Sequence, residues 1–570
     1  MSPEVSTAAG QLFEIVDVEA HGRRLRAFKN AAPSLRAIWD MSAAHGDATY
    51  LVYDEQQYTF TGAHEIVAAL AQQLAEEHGV TRGDRVAVAM RNFPEWAFSF
   101  WAATCLGAVV VPLNAWWTGP ELAYGLADSG TKVLLTDGER WQRLEPHLDD
   151  TKVETIVVAR ATTPLPDRVL AFDHVVQAGD AGYALPSIDI QPDDDATIMY
   201  TSGTTGRPKG AVGTHRNIGN HIMNALYAAA SRAPAAPAAS PDAATADTAT
   251  VAPSTRPVTL LTFPLFHVGG LQSFLLPYTV IGGKVVLLYK WDPARALALI
   301  EREGVNNVAG VPTTMFELLD EARRQGKELP SLAGVASGAT LVPPELVRRI
   351  DSQLEHRAAP TNGYGLTETC GAAVANAGSD YVLRPDSVGT PISPTMEVRI
   401  ADEAGHAVPV GDTGEIWIKG PTVFRGYFDN DEATAAAITD GWFHTGDVGR
   451  LDDAGYLYVV DRLKDVIVRG GENVYAAEVE AVLYEHPDVA EAAIVGLPDP
   501  KYGEQIVAIV RLRPGSTLDE AGVRDHVASR LATFKVPSIV RLTPDSLPRN
   551  AAGKVLKRDL RNALAAAEAN

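Results

Sequence analysis

Three things are scarce in this sequence. Cysteine is one: Cys105 and Cys370 are the only two in 570 residues, far apart. A disulfide scaffold is therefore excluded. Basic residues are another: 49 Lys and Arg face 71 Asp and Glu, for a net charge of −22. Such a chain is repelled by nucleic-acid phosphates and anionic lipid, so nucleic acid is not an expected partner. Any anion it binds must be held by a local site. Long unbroken apolar runs are the third. Trp96 to Pro120 is uncharged, but Gly107, Pro112, Asn114 and Gly119 interrupt it. Pro257 to Gly283 is broken by Pro264, His267, Gly269, Gly270 and Pro277. Both read as buried elements, with no transmembrane segment. Met1 to Gly10 lacks the positive flank and apolar run of an export signal, so the expected compartment is the cytoplasm. A weak peripheral membrane contact and a homodimer remain open.

What is present is ordinary globular material: 46% hydrophobic and 21% charged residues, enough for sizeable cores. Strand-like and helical patterns alternate. Arg85 to Met90 reads as a strand, Pro94 to Leu106 as a buried helix, Ala108 to Leu113 as a buried strand, Glu121 to Asp128 as a helix and Lys132 to Thr136 as a strand. The rhythm returns from Lys284 to Tyr289 through Gly334 to Ser337. Alternation of this kind predicts α/β layers with largely parallel strands.

Two stretches differ. Residues 228–256 hold 13 Ala and 4 Pro with little to bury, which predicts a flexible surface insertion between a helix (His215 to Tyr227) and a strand (Val258 to Phe263). After about Asp461 the texture changes to a compact mixture of short strands and amphipathic helices. The expected organisation is a large N-terminal α/β domain of layered sheets and helices over residues 1–460, a hinge at 461–465, and a small mobile α+β domain over 466–570.

The strongest local signal runs from Tyr200 through Thr201, Ser202, Gly203, Thr204, Thr205 and Gly206 to Arg207, Pro208, Lys209 and Gly210. Small residues let backbone approach a ligand. Hydroxyls, free N–H groups and one Lys suit phosphate oxygens. It is not a Walker loop, because the required spacing is absent. By composition alone it is equally a Gly/Thr surface loop.

Further motifs follow in order. They are Asn362-Gly363-Tyr364-Gly365-Leu366-Thr367-Glu368-Thr369, then His444-Thr445-Gly446-Asp447, then Asp461-Arg462-Leu463-Lys464-Asp465 with Gly470-Gly471-Glu472-Asn473, and last Pro548-Arg549-Asn550-Ala551-Ala552-Gly553-Lys554. Together they resemble the adenylate-forming superfamily of acyl-CoA synthetases, peptide-synthetase adenylation domains and luciferases. The resemblance extends from about Leu35 to Leu564 and is closest to fatty-acid–CoA ligases.

The resemblance implies ATP, Mg2+ and coenzyme A as cosubstrates of a small carboxylic acid. It implies an ATP/AMP site at Thr201 to Gly206, Lys209, Ala339, Asn362, Gly363, Tyr364, Gly365, Thr367, Asp447, Arg462 and Lys554. Lys554, Lys209, His267, Thr367 and Glu368 are the implied catalytic residues, with Glu368 and Thr201 toward the metal. His267, Thr313, Thr314, Gly338, Ala339 and Gly363 are the candidate acyl pocket, Gly470 and Gly471 the CoA path, and Lys464 the hinge.

The residue types fit these roles. Tyr364 can stack on a purine and Asn362 can pair with its exocyclic amine. Glu368 is a hard oxygen ligand, and Asp447 can accept from two ribose hydroxyls. Each also has an ordinary structural reading: a core aromatic, a surface carboxylate, a turn residue, a solvated Lys or Arg, a core histidine. The segment Pro264 to Gly270 carries no carboxylate to meet a buried ammonium, so amino acids are disfavoured and a fatty or other hydrophobic acid is expected. An aryl acid is the alternative, as is a stand-alone enzyme loading an acyl carrier protein. A non-catalytic nucleotide-binding protein is a third class. Ala476 in place of a family Pro, and Lys501-Tyr502-Gly503-Glu504 in place of Trp-Gly-Glu, depart from the family pattern near the expected CoA path.

Overall fold

The computed structural model describes residues 5–201, 207–232, 256–550 and 553–568. Two large sheets dominate the N-terminal part. The first has eight strands. At its centre, Arg85–Ala89, Val109–Pro112, Val133–Asp137 and Thr155–Ala159 run parallel. At one side, Asp195–Thr201 and Lys209–Thr214 form an antiparallel pair in which Thr201 faces Lys209. The Ser/Thr/Gly loop therefore joins two adjacent strands. Ser202 to Gly206 themselves lie outside the described residues.

The second sheet has nine strands. Its parallel core includes Val258–Leu261, Lys284–Leu287, Asn307–Gly310, Gly334–Gly338 and Ala359–Leu366. Strands buried on both faces read as continuous apolar runs, which is why Val133, Leu134 and Leu135 are all fully buried.

Helix Pro94–Cys105 lies in the main core with every residue buried, so it has no polar face. Its own Trp96 and Trp101, and Trp39 stacked on Trp101, all have no exposure. Their polar atoms need partners. Trp101 Nε1 donates to Tyr50 Oη at 3.0 Å, which is 2.7 Å from Thr279 Oγ1. Truncating such a residue, as in Trp101→Ala, costs about 3–5 kcal/mol.

A third, antiparallel sheet includes Gly414–Lys419, Trp442–Leu451 and Leu457–Arg462, and places Asp447 opposite Arg462. A final five-stranded sheet, with strands between Ile467 and Thr543, has its own core. Leu483, Val479, Val523 and Val527 from two helices cover its face.

The α/β reading holds, and most expected elements lie within a few residues of their observed places. One boundary differs. Helix His215–Arg232 continues past Tyr227, so Ala228 to Arg232 belong to a helix and not to an insertion. Alanine is the best helix former, and the first proline comes only at Pro234. Residues 233–255 lie outside the described residues. The N-terminal hairpin of Ile15–Ala20 and Arg23–Phe28 was not anticipated, because its charged, alternating strands carry little apolar signal. Among the described residues no helix is long and apolar enough to cross a membrane.

Candidate active site

In parallel α/β sheets ligands gather beyond the carboxyl ends of the strands. A cavity of about 1170 Å³ opens there. Gly338 and Ala339 end one strand, and Gly363 to Leu366 end its neighbour. The chain then turns through Thr367–Thr369 into the antiparallel strand Gly371–Ala377. Ala339 holds φ +64. A non-glycine residue in this region costs roughly 1–2 kcal/mol, strain that the surrounding strand ends enforce.

The cavity lining joins residues from distant motifs: Thr201, Lys209, His267, Gly338, Ala339, Asn362, Gly363, Gly365, Thr367, Glu368, Arg462, Lys464 and Lys554. Its charged side chains are six cations and two carboxylates, so this acidic chain has a locally positive pocket. Such a pocket concentrates anionic ligands.

Three of its walls are tied together. Tyr364 Oη donates to Asp447 Oδ2 at 2.8 Å, and Arg462 Nε lies 3.2 Å from Asp447 Oδ1. Asp447 is 4% exposed, which leaves its carboxylate fixed. A carboxylate has about four acceptor sites, so two remain for ligand hydroxyls. Tyr427 Oη donates to Glu368 Oε1 at 2.9 Å, and Lys209 Nζ sits 5.1 Å above the Tyr427 ring. Burial raises the Glu368 carboxyl above its ordinary value. One buried carboxylate beside hydroxyls fits Mg2+, which takes one or two carboxylates plus phosphate oxygens. Among the described residues no group of three or more His, Cys, Asp or Glu could hold a metal alone. The donor set therefore suits an ion that arrives with phosphates.

Lys554 enters from the C-terminal part, between strand Ile539–Thr543 and helix Lys557–Glu568. Asn550 shapes its turn: Asn550 N–H donates to Lys554 O at 2.8 Å, and Lys554 N–H to Asn550 Oδ1 at 2.9 Å. Gly553 holds φ +83 and lies against Val311 of the N-terminal part, where a Cβ would come within 2.8 Å. Arg549 braces the turn, donating to Gly553 O at 2.7 Å and pairing with Glu491 at 3.1 Å. Burial, with Arg462 nearby, lowers the Lys554 ammonium from 10.5 to about 7, against the opposing pull of Asp447. An anion in the cavity would restore its charge.

His267 precedes the short helix Val268–Gly270. Its loop is clamped by Asn92, whose Nδ2 donates to Phe263 O at 2.9 Å and whose Oδ1 accepts from Leu265 N–H at 2.8 Å. Burial lowers the His267 imidazole to about 4. Phe263, Phe266, Phe274, Ala225, Ala228 and Ala336 continue the wall away from the phosphate end.

Some expected residues stand elsewhere. Thr313 and Thr314, half-buried at the start of helix Pro312–Gln325, are not among the cavity-lining residues. Thr314 packs back on its own chain, its Cγ2 3.1 Å from where a Cβ on Gly310 would sit, and Val311 meets Gly553 beside them. Tyr364 and Asp447, bonded to each other, are not among the lining residues, and Asp447 adjoins the cavity through its chain neighbour Gly446 and its ion-pair partner Arg462, which are. Gly470 and Gly471 form an exposed turn at φ +63 and +89, apart from the cavity in this orientation. Tyr427, Arg549, Asn92 and His221 were missed. Tyr427, Arg549 and Asn92 are single polar residues whose roles depend on partners far away in sequence, and His221 is marked only by its burial in the cavity wall.

Strand-end glycines, a phosphate-compatible hairpin and a buried carboxylate paired with Arg462 define an adenylate-forming enzyme. The chain matches the AMP-binding enzyme description over residues 38–428 and the AMP-binding enzyme C-terminal domain over 478–554. It belongs to the AMP-binding enzyme family. It is 37% identical to a feruloyl-CoA synthase of Amycolatopsis sp over 517 residues, 90% of this chain and 95% of that protein. It is 34% identical to an indoleacetate–CoA ligase of Aromatoleum aromaticum, over 91% of this chain and 95% of that one. The structure resembles o-succinylbenzoate CoA synthetase from Bacillus subtilis in complex with its acyl-adenylate intermediate, with a TM-score of 0.75 and 31% identity, covering 93% of this chain and 98% of that one.

Proposed function

We propose that the protein is an ATP-dependent carboxylic acid–CoA ligase whose acid carries a hydrophobic ring. The observation that carries this reading is the acyl arm beyond His267: Phe263, Phe266 and Phe274 with small alanines, and no carboxylate in the Pro264 to Gly270 segment. Aromatic walls suit a ring through offset and edge contacts. A buried ammonium would find no partner there. Ferulate, indoleacetate and succinylbenzoate, the acids in the names of three relatives, bear rings and support the same reading, whereas another relative is named as a long-chain fatty-acid–CoA ligase.

The reaction follows from the site. A carboxylate is a poor acyl donor because its leaving group would be oxide. Its oxygen attacks the α-phosphorus of ATP, the bond to the β-phosphate breaks, and pyrophosphate leaves. Lys209 and Lys554 offset the negative charge that gathers there. Glu368, with Thr201 beside it, would hold Mg2+, which supplies further neutralisation of the triphosphate when bound. Asp447 receives the ribose hydroxyls, and the Asn362 to Gly365 strand end receives the adenine.

The CoA sulfur then attacks the acyl carbon, the bond to AMP breaks, and the thiol proton passes to solvent. His267 is neutral near pH 7 and too weakly basic to keep a proton, so it shapes the acyl pocket instead. Lys554 reaches into the cavity while Gly470 and Gly471 stand outside it. That arrangement suits the first half-reaction. Rotation of the C-terminal domain about Lys464 would exchange the two for the second.

Acid-dependent pyrophosphate release, measured across ring, straight-chain and amino acids with and without CoA, tests this. Ring acids should lead, and thioester should form only with CoA. Stronger release with straight-chain acids would move the enzyme to fatty acids. Transfer to a phosphopantetheinyl carrier in preference to CoA would change the acceptor.

A further inference from the structure

One face of helix His215–Arg232 forms part of the acyl wall. His221, Ala225 and Ala228 follow at spacings of four and three residues, which puts them in one stripe. The two alanines leave open space. His221 is the stripe's buried polar member, 1% exposed, while the exposed Arg232, four residues beyond Ala228, also lines the cavity. Neither of the His221 ring nitrogens has a hydrogen bond of ordinary geometry among the described residues, and the Gln272 backbone offers only a looser contact. Buried polar groups in native structures are nearly always paired, so each exception needs a reason. On the same helix, the equally buried His215 accepts from Leu35 N–H at 3.1 Å through Nδ1.

The opposite wall is kept bare for this ring. Gly371 begins the strand after the Thr367–Thr369 turn. A Cβ there would lie 2.5 Å from His221 Cε1 and 2.8 Å from Nε2, at a φ of +116. Burial outweighs the nearby Gln272 backbone and lowers the imidazole to about 4. A neutral imidazole offers one N–H and one acceptor nitrogen. That combination matches a hydroxyl or an oxo oxygen better than an anion.

We propose that His221 sets specificity in the acyl arm by hydrogen-bonding a neutral hydroxyl or oxo group on the ring of the substrate acid. This rests on the ring-acid reading above. Flexible chains could turn such a group aside, whereas a ring fixes its distance from the carboxylate. A pocket built to bond a polar group discriminates against the analogue that lacks it, because its own buried atoms are then left unpaired.

The test uses the full-length enzyme and phenylpropanoic acids bearing one hydroxyl or one oxo group at each ring position, against unsubstituted 3-phenylpropanoate. The parent should prefer at least one substituted acid by about tenfold or more in kcat/KM. In His221→Leu that ratio should collapse toward one, and His221→Gln should restore part of it. Because the ratio is taken within each enzyme, a general loss of folded protein cancels. A preference that survives in His221→Leu overturns the proposal. So does a parent that turns over all the ring acids equally, as it would if a resident water satisfied the imidazole. If no ring acid is used but a straight-chain acid is, the ring-acid reading fails and this proposal fails with it.

Discussion

The site is built from two regions held in opposite ways. The nucleotide wall is fixed: Asp447 is pinned by Tyr364 and Arg462, all three on strands of the N-terminal part. The Lys554 turn is borrowed. It belongs to the C-terminal part, whose sheet has its own core, and reaches the cavity by resting Gly553 on Val311. A fixed wall serves every step that needs nucleotide, whereas a borrowed cation can serve one step and withdraw for the next. The two regions should therefore fail differently when damaged.

The largest expected effect is in the borrowed region. Lys554→Ala should lower acid-dependent pyrophosphate release by ~10²–10³, the usual worth of one well-placed donor in a dry site. Thioester formation from preformed acyl-adenylate and CoA should be far less affected. An equal fall in both half-reactions would erase the distinction between the regions.

On the fixed side, Asp447→Asn should raise the KM for ATP by about 10- to 100-fold, since charge-assisted bonds are worth roughly 1.5–3 kcal/mol. Both half-reactions should suffer, because AMP is held in each. Unchanged ATP kinetics would reduce Asp447 to a support for Arg462.

Gly553→Ala asks whether the docking contact itself matters. Its backbone at φ +83 and its approach to Val311 both oppose a side chain. Strain of roughly 1–2 kcal/mol predicts a five- to thirtyfold loss confined to adenylation. A loss in thermal stability with no change in either rate would place the strain inside the turn alone.

The smallest effect is a pH limb. Burial lowers the Lys554 ammonium to about 7 in the free enzyme, and the role proposed for it requires the cation. Activity should be retained below that value and lost above it, so kcat/KM for adenylation should drop about fivefold between pH 7 and 8. Lys554→Arg, which stays protonated, should remove this basic limb at some cost in rate. A limb that persists in the Arg variant belongs to another group.

Much of the fold was legible before any coordinates. Alternating apolar periods announced the parallel strands, and helix Pro94–Cys105 was separable from a membrane span by its interrupting Gly and Pro. The cavity lining was legible where small residues end strands, as at Gly338, Gly363 and Gly365, or where a lysine stands in a motif, as at Lys209 and Lys554. It was not legible where function needs two distant groups. Tyr364 and Asp447 are 83 positions apart, and Tyr427 is 59 from Glu368. Nothing local in the chain marks such partners.

The sequence by itself determined the layered α/β class, the acidic surface, the separate C-terminal unit and the residue types able to hold a nucleotide, because composition, period and short motifs are local properties. Only the tertiary structure decided that Thr313 and Thr314 stand off the cavity, that Ala228 belongs to a helix, that Asp447 is clamped between Tyr364 and Arg462, and that His221 faces a bare glycine. These depend on sheet register and on how two faces meet, and that geometry is fixed by burial of the whole core and not by any one segment.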